Sequence, residues 1–349
     1  MDGGSGALLD GVLRCRLESR GMDSRNTPPP ISPLGANVSR PLWSVMIPTY
    51  NCTKYLPETL RSVLEQDLGP EKMQIEVVDD ASDDKPEDIV QSIGAGRVEF
   101  FRQAVNGGVV SNFNTCISRS RGALVHILHG DDLVRPGFYA RIAELSRQWP
   151  AAALLATRSL FIDEAGVVTY VSPRLVNLER ETRAPGRFLY ECLLQCAGVV
   201  IRRSFYEAFG GFDRRLVHTA DWEMWLRAIT LGGGVVSAEP LACYRTFEGN
   251  DSSRLRRTGE NLRDYLRLAD ILEGRVPDFD ARRFRAAVAR DALDQARFFS
   301  KRGDPGAARA NEDVWREVTS FKTILRRAAG AVLDAGLDAL QDVRRKVAL

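Results

Sequence analysis

The chain contains no uninterrupted apolar run near the roughly 20 residues that a membrane-spanning helix requires, so any link to a membrane is expected to be peripheral. Its first residues lack the basic-then-apolar order of a signal peptide. The six cysteines, at positions 15, 52, 116, 192, 196 and 243, form no CxxC pair. Reduced thiols in a cytoplasmic protein are the expectation. Cys192 and Cys196 have helical spacing, but no matching histidine pair suggests zinc. Neither charge dominates: 48 Lys and Arg against 46 Asp and Glu leave a formal +2, which gives no pull toward nucleic acid. No GxGxxG or Walker-type loop follows the first apolar segment. That argues against a dinucleotide enzyme, an NTPase or a nucleotidyltransferase.

What is present is ordinary globular composition, 44% hydrophobic and 27% charged over 349 residues. This suffices for one large domain with appendages, or for two domains. Residues 1–40 are rich in Gly, Ser, Arg and Pro and read as a disordered leader, with a short helix around 7–18 as an isolated option. Apolar segments at 44–47, 73–78, 98–101 and 124–128 read as strands, the first stopped by Pro48. Helical spacing occupies 56–66, 86–93 and 110–119 between them. That alternation predicts right-handed βαβ units and a mostly parallel, Rossmann-like sheet flanked by helices, an α/β fold. A helix is expected over 136–148, strands at 152–157, 167–171 and 197–201, and helices at 204–209 and 221–231. Segments 235–236 and 241–244 look like closing strands. Beyond 259 strand signals vanish, which predicts a core domain over 41–258 and a helical extension over 259–349. Residues 321–349 carry an amphipathic basic pattern. Such a helix can lie on an anionic membrane, or pack against the domain or a second subunit.

The densest chemistry is Leu128-His-Gly-Asp-Asp132. An apolar strand ending in two adjacent carboxylates places negative charge at the C-terminal edge of a sheet, where open α/β sheets bind ligands. Adjacent carboxylates repel, and a divalent cation or cationic ligand would offset that repulsion; a solvated turn before the next helix is the alternative. Pro48-Thr-Tyr-Asn51 forms a polar loop after the first strand, able to offer N–H groups and a ring to a ligand, or serving only as a connection. After the second strand, Asp80 is read as a ligand contact and Asp83 and Asp84 as turn caps. Within the strands, His126 reads as a satisfied core histidine. Trp222 and Trp225 are expected to pack their helix, and Gly210-Gly211 to mark a chain turn.

Taken in order, seven segments resemble the inverting family 2 glycosyltransferases of the GT-A fold. They are Ser44-Val-Met-Ile-Pro-Thr-Tyr-Asn51, Val77-Val-Asp-Asp-Ala-Ser-Asp83, Asn106-Gly-Gly108, Leu128-His-Gly-Asp-Asp132, Phe209-Gly-Gly-Phe-Asp213, Ala220-Asp-Trp-Glu-Met-Trp-Leu-Arg227 and Tyr244-Arg-Thr-Phe-Glu-Gly-Asn250. The resemblance covers about residues 43–250. It implies a nucleotide diphosphate-sugar donor, foremost a UDP-sugar, and a glycan or lipid-linked acceptor. Pro48, Thr49, Tyr50, Asn51 and Asp80 would hold the nucleoside, with Asn106 and Gly107 lining the loop beside it. Asp131 would bind Mg²⁺ or Mn²⁺ at the diphosphate. Asp132 would orient the site or cap the next helix. Asp221 would be the general base, although an N-cap role for the helix it opens is equally physical.

Three positions depart from the family pattern. His129 stands where an acid usually opens the metal motif, Ala220 replaces the usual Glu before Asp221, and Phe247 replaces a frequent His. His129 could still donate to a phosphate or ligate a metal. Arg245 could reach a phosphate or make a structural salt bridge. The lack of spanning segments argues against a processive synthase that extrudes its own polymer, and places the protein in the cytoplasm or on the inner membrane face. A non-catalytic nucleotide-sugar-binding module of the same fold is the competing reading, motivated by those three departures.

Overall fold

The computed structural model describes residues 28–35, 37–174, 180–276 and 278–320. Two compact units divide at Arg245 and Thr246.

The first unit is built on a sheet of nine strands among the described residues. Its first strands are β1 (Trp43–Thr49), β2 (Met73–Asp79), β3 (Glu99–Arg102) and β4 (Leu124–Ile127). They alternate with helices α1 (Leu56–Leu64), α2 (Pro86–Gly94) and α3 (Val109–Arg119). These strands pair in parallel in the spatial order β3-β2-β1-β4. Both β1 and β2 are buried at all seven positions, the signature of a strand covered by helices on both faces. The apolar face of α1 sends Leu56, Leu60 and Val63 into a core shared with Val45, Ile47, Ile75, Val77 and Leu155.

Pro48 does not stop β1. Its carbonyl accepts from Gly130 N, so its ring nitrogen faces the same side, where the ladder with β4 has already ended at Met46 and Ile127. The missing N–H costs only the next bond toward β4, and pairing with β2 runs on to Thr49 and Asp79.

Beyond β4 the sheet becomes mixed. The two-residue strand β5 (Leu133–Val134) follows the acid turn and pairs antiparallel with the last strand, β9 (Gly234–Arg245). Helix α4 (Phe138–Gln148) starts after Gly137, whose φ of 93° favours glycine. The strands β6 (Leu154–Ile162), β7 (Val168–Val171), β8 (Val199–Arg202) and β9 (Gly234–Arg245) complete the sheet with helices α5 (Arg203–Phe209) and α6 (Ala220–Gly232). The two closing segments expected at 235–236 and 241–244 are one strand, β9. It passes Pro240 at a register irregularity against β6, where bulges tolerate proline.

Part of the expected leader is ordered on this unit. Ile31 is buried, Pro29 O accepts from Gly211 N, and Ser32 O accepts from Arg203 Nη2.

The second unit is helical throughout its described part: α7 (Asp251–Thr258), α8 (Glu260–Leu272), α9 (Ala281–Lys301) and α10 (Pro305–Thr319). Asn250, Asp280 and Asp304 cap α7, α9 and α10 with side-chain oxygens. Residues 321–349, with their amphipathic pattern, and the short helix suggested around 7–18 lie outside the described residues. No described helix is long and apolar enough to cross a membrane.

Candidate functional site

Parallel strands β1, β2 and β4 end side by side, and their C-terminal ends and loops carry most of the predicted site residues; Asn106 and Gly107 follow β3, Asp221 is on α6 and Arg245 ends β9. At the end of β1, Thr49 lies opposite Asp79 and is buried, while Tyr50 is 51% exposed. Asn51 takes a left-handed conformation, φ 49°. Its N–H donates to Ser82 Oγ at 2.9 Å, and its Oδ1 accepts from Asp83 N at 2.9 Å. Asp84 Oδ2 accepts from Thr53 N and Oγ1 at 2.9 and 2.8 Å. The expected capping role for Asp84 is thus replaced by a stitch between loops; Lys85 is the N-cap of α2 and makes no side-chain bond there.

Asp80 is buried. Oδ1 accepts from Gln103 Nε2 and Gly107 N, and Oδ2 from Gly108 N, at 2.8, 2.9 and 2.9 Å. It anchors the loop that opens α3. Asn106 closes the same loop by accepting from Gly108 N at 3.1 Å. A Cβ at Gly107 would lie 2.8 Å from Ser111 Oγ, so a side chain there would displace that hydroxyl.

Beside them, the turn after β4 gathers His129, Asp131 and Asp132, whose ligand atoms lie within 4.8 Å of one another. Gly130 fits against the β1 loop: a Cβ there would stand 2.6 Å from Cys52 Sγ and 2.8 Å from Thr49 Cγ2. Asp132 is buried; Oδ1 accepts from Arg245 N at 2.9 Å, while Oδ2 has no hydrogen-bond partner and faces His129 Nδ1 at 3.8 Å. Asp132 does not cap the next helix, whose N-cap is Gly137. Burial raises the Asp131 carboxyl above the ordinary range, and His129 and Arg245 pull it partly back. Burial, and then the charge of Asp131, push Asp132 well above it. A pair so disposed favours a cation among its oxygens.

Arg245 is fully buried and its guanidinium is engaged on every nitrogen. Nε donates to Asp131 O, Nη1 to Asp163 O and Glu164 O, and Nη2 to Glu58 Oε2 at 2.6 Å. Of the two roles expected for it, the salt bridge is present.

Asp221 lies in the first turn of α6, one position inside the helix, because the N-cap is Thr219. Its Oδ1 nevertheless accepts from the first-turn N–H of Trp222 at 2.6 Å. The thiol of Cys196 connects this acid to the acid turn. Its Sγ donates to Ile127 O at 3.5 Å, at the end of β4. Burial raises it, and the charges of Asp221 and then Asp132 raise it further. A chain of rings runs the same way: His129 stacks on Phe113, Phe113 meets Phe212, and Phe212 meets Trp225 of α6, at 5.1, 5.1 and 6.1 Å. Asp132 and Asp221, distant in sequence, are thus both within electrostatic reach of the Cys196 thiol.

Other readings find their place. His126 is buried between Ala197 O and Tyr139 Oη, and burial pushes its imidazole down to about 4. Trp222 and Trp225 are buried, and Gly210 turns the chain with φ 83°. Sequence reasoning missed Glu58, Thr59, Cys196 and Arg227. The last donates to the carbonyls of Phe209, Gly210 and Gly211 and pairs with Glu223. Only the i, i+4 spacing of Glu223 and Arg227 offered a signal.

Residues 44–209 match the family model described as Glycosyl transferase family 2. A Mycobacterium tuberculosis protein described as uncharacterized protein MT1568 is 27% identical over 248 residues, which is 68% of this chain and 77% of that one. Chondroitin synthase of Escherichia coli is 26% identical over 194 residues, 55% of this chain but 27% of that enzyme. Among solved structures, S. aureus TarS 1-349 in complex with UDP-GlcNAc superposes with a TM-score of 0.53 at 19% identity, covering 80% of this chain and 93% of that one. At that identity the likeness is one of fold, and the fold is GT-A.

Proposed function

Residues 44–209 form a family 2 glycosyltransferase domain of the GT-A fold, and from that premise we propose a cation-assisted transfer of one sugar, with inversion, from a nucleoside diphosphate to an acceptor hydroxyl during glycan assembly. The observation that carries this reading is the turn after β4, where His129, Asp131 and Asp132 bring their ligand atoms within 4.8 Å of one another.

Exposed Tyr50 offers a ring face to the nucleoside, and the loop anchored by Asp80 closes beside it. UDP is the favoured carrier, since TarS binds UDP-GlcNAc and UDP. The donor set fits a divalent cation: one imidazole and two carboxylates within 4.8 Å, with the buried Asp132 Oδ2 lacking a hydrogen bond. His129, Asp131 and Asp132 would hold Mg²⁺ or Mn²⁺, which when bound neutralises charge on the leaving diphosphate. The departure at position 129 thus keeps a ligand in place, as imidazole suits several divalent ions. Asp221 takes the proton of the acceptor hydroxyl as its oxygen bonds to the anomeric carbon. The bond from that carbon to the phosphate oxygen breaks, its electron pair leaving with the nucleoside diphosphate. One displacement inverts the anomeric centre and needs no covalent nucleophile. The acceptor is a glycan or lipid-linked hydroxyl; the peripheral membrane contact expected of residues 321–349 falls outside the described residues.

The test separates binding from chemistry. Asp221→Asn should leave UDP affinity within about twofold and lower turnover by about 10²-fold or more. Asp131→Ala should abolish Mn²⁺-dependent donor turnover, and proton NMR of the product should show the inverted anomer. Equal loss of affinity and turnover in Asp221→Asn would remove it as the base. UDP-sugar binding without transfer or hydrolysis, over a broad acceptor panel, would instead establish the non-catalytic module.

A further inference from the structure

The acid turn is held by β9 and α1, and the β6–β7 turn holds the arginine of β9. Arg245, the last residue of β9, contacts both of its carboxylate residues: its N–H donates to Asp132 Oδ1 and its Nε to Asp131 O, each at 2.9 Å. The same guanidinium lies 4.7 Å from the ring centre of Tyr55 and donates to the carbonyls of Asp163 and Glu164 in the β6–β7 turn. Helix α1 supplies consecutive residues. Glu58 pairs with Arg245 Nη2 at 2.6 Å, and Thr59 Oγ1 reaches Gly130 O and Asp132 O at 3.0 and 2.8 Å. The Arg245 side chain is 0% exposed and that of Glu58 is 52% exposed. A surface acid therefore orients a buried base, and the buried base orients the turn.

We infer that Glu58 and Arg245 are positioning residues for cation binding: Glu58 fixes the guanidinium, and Arg245 sets Asp131 and Asp132 in the pose that holds the ion. This rests on the reading that the acid turn binds a divalent cation. Occupying Asp132 Oδ1 from the backbone of Arg245 leaves Oδ2 directed at His129 and the cluster. Two opposed effects make the inference decidable. By charge alone, a guanidinium this near repels a second cation, so removing it would tighten binding. By geometry, removing it frees the Asp131 carbonyl and the packing around the turn, while the Arg245 backbone N–H stays on Asp132 Oδ1. Losing such an outer support lowers metal affinity by about 10- to 100-fold.

The experiment is an electron paramagnetic resonance titration of the full chain with Mn²⁺ alone, with a thermal melt alongside and Asp131→Ala as the blank for unrelated sites. Arg245→Gln is expected to bind about tenfold or more weaker than the native chain. Arg245→Lys, which keeps the charge but loses the planar fork, should also weaken it. Glu58→Ala should weaken binding, and Glu58→Gln, which keeps an acceptor for Nη2, should recover most of it. Unchanged or tighter binding in Arg245→Gln, or native affinity in Glu58→Ala, overturns the inference. Should Arg245→Gln fail to fold, the surface variants at Glu58 decide the matter alone. Absence of Mn²⁺ binding in the native chain defeats the cation reading itself, and this inference falls with it.

Discussion

Gly130→Ala adds one methyl group at the seam between the β1 loop and the acid turn. The new carbon would sit 2.6 Å from Cys52 Sγ and 2.8 Å from Thr49 Cγ2, about an ångström inside ordinary contact. Neither neighbour can yield readily. Thr49 is buried in the last position of β1, and the loop bearing Cys52 is tied to the β2 side by the Asn51–Ser82 and Thr53–Asp84 bonds. Overpacking of this kind costs roughly 1–3 kcal/mol, which for a unit of this size lowers the melting temperature by about 2–12 °C. The turn itself must shift, so Mn²⁺ and UDP affinity should fall together with stability. Calorimetry of the variant and titration with both ligands measure this. Combining Gly130→Ala with Cys52→Ala removes the closer clash and should restore part of the loss, leaving the share due to Thr49. A melting temperature within about 1 °C of the native value, or a double variant no better than the single, would refute the packing argument.

Two further outcomes follow from buried groups. His126 has a folded pKa pushed from 6.5 to about 4 by burial, so the unfolded chain binds the extra proton first. Its stabilisation is full above about pH 6.5 and is lost as pH falls toward 4, up to roughly 3 kcal/mol; urea unfolding at pH 7 and pH 5 should show a slope that His126→Phe flattens. Arg227→Met should destabilise the first unit by about 3 kcal/mol, since it strands Glu223 and three carbonyls of the Phe209–Gly211 turn. A melt unchanged by that substitution would remove the turn-holding role.

Much of the site was legible because its chemistry is local. A strand running into His129-Gly-Asp-Asp132 states both the position and the charge of the acid turn, and parallel strands at regular spacing put its loop beside those of β1 and β2. The mixed half of the sheet was harder. β9 read as two fragments because Glu239-Pro240 looks like punctuation, and only pairing with β6 shows that the strand continues through an irregular register. β6 runs to Ile162, past the expected end at 157, because β7 and β9 pair with its outer half. The roles of Asp84, Asp132 and Arg245 were not readable for another reason. Each depends on a partner between 31 and 187 residues away, and no local pattern encodes such a pairing. Asp221 illustrates a finer limit: the helix begins one residue earlier than its acid suggests, since Thr219 takes the cap position without a side-chain bond.

The convergence of Asp131 and Asp221 is most directly tested by anomalous diffraction from crystals of the full chain soaked with Mn²⁺ and UDP. One strong manganese peak held by Asp131 within the His129–Asp132 cluster is expected, with the Asp221 carboxylate on the opposite wall of the same crevice. A peak away from this turn, or an Asp221 carboxylate facing another surface of the domain, would contradict it.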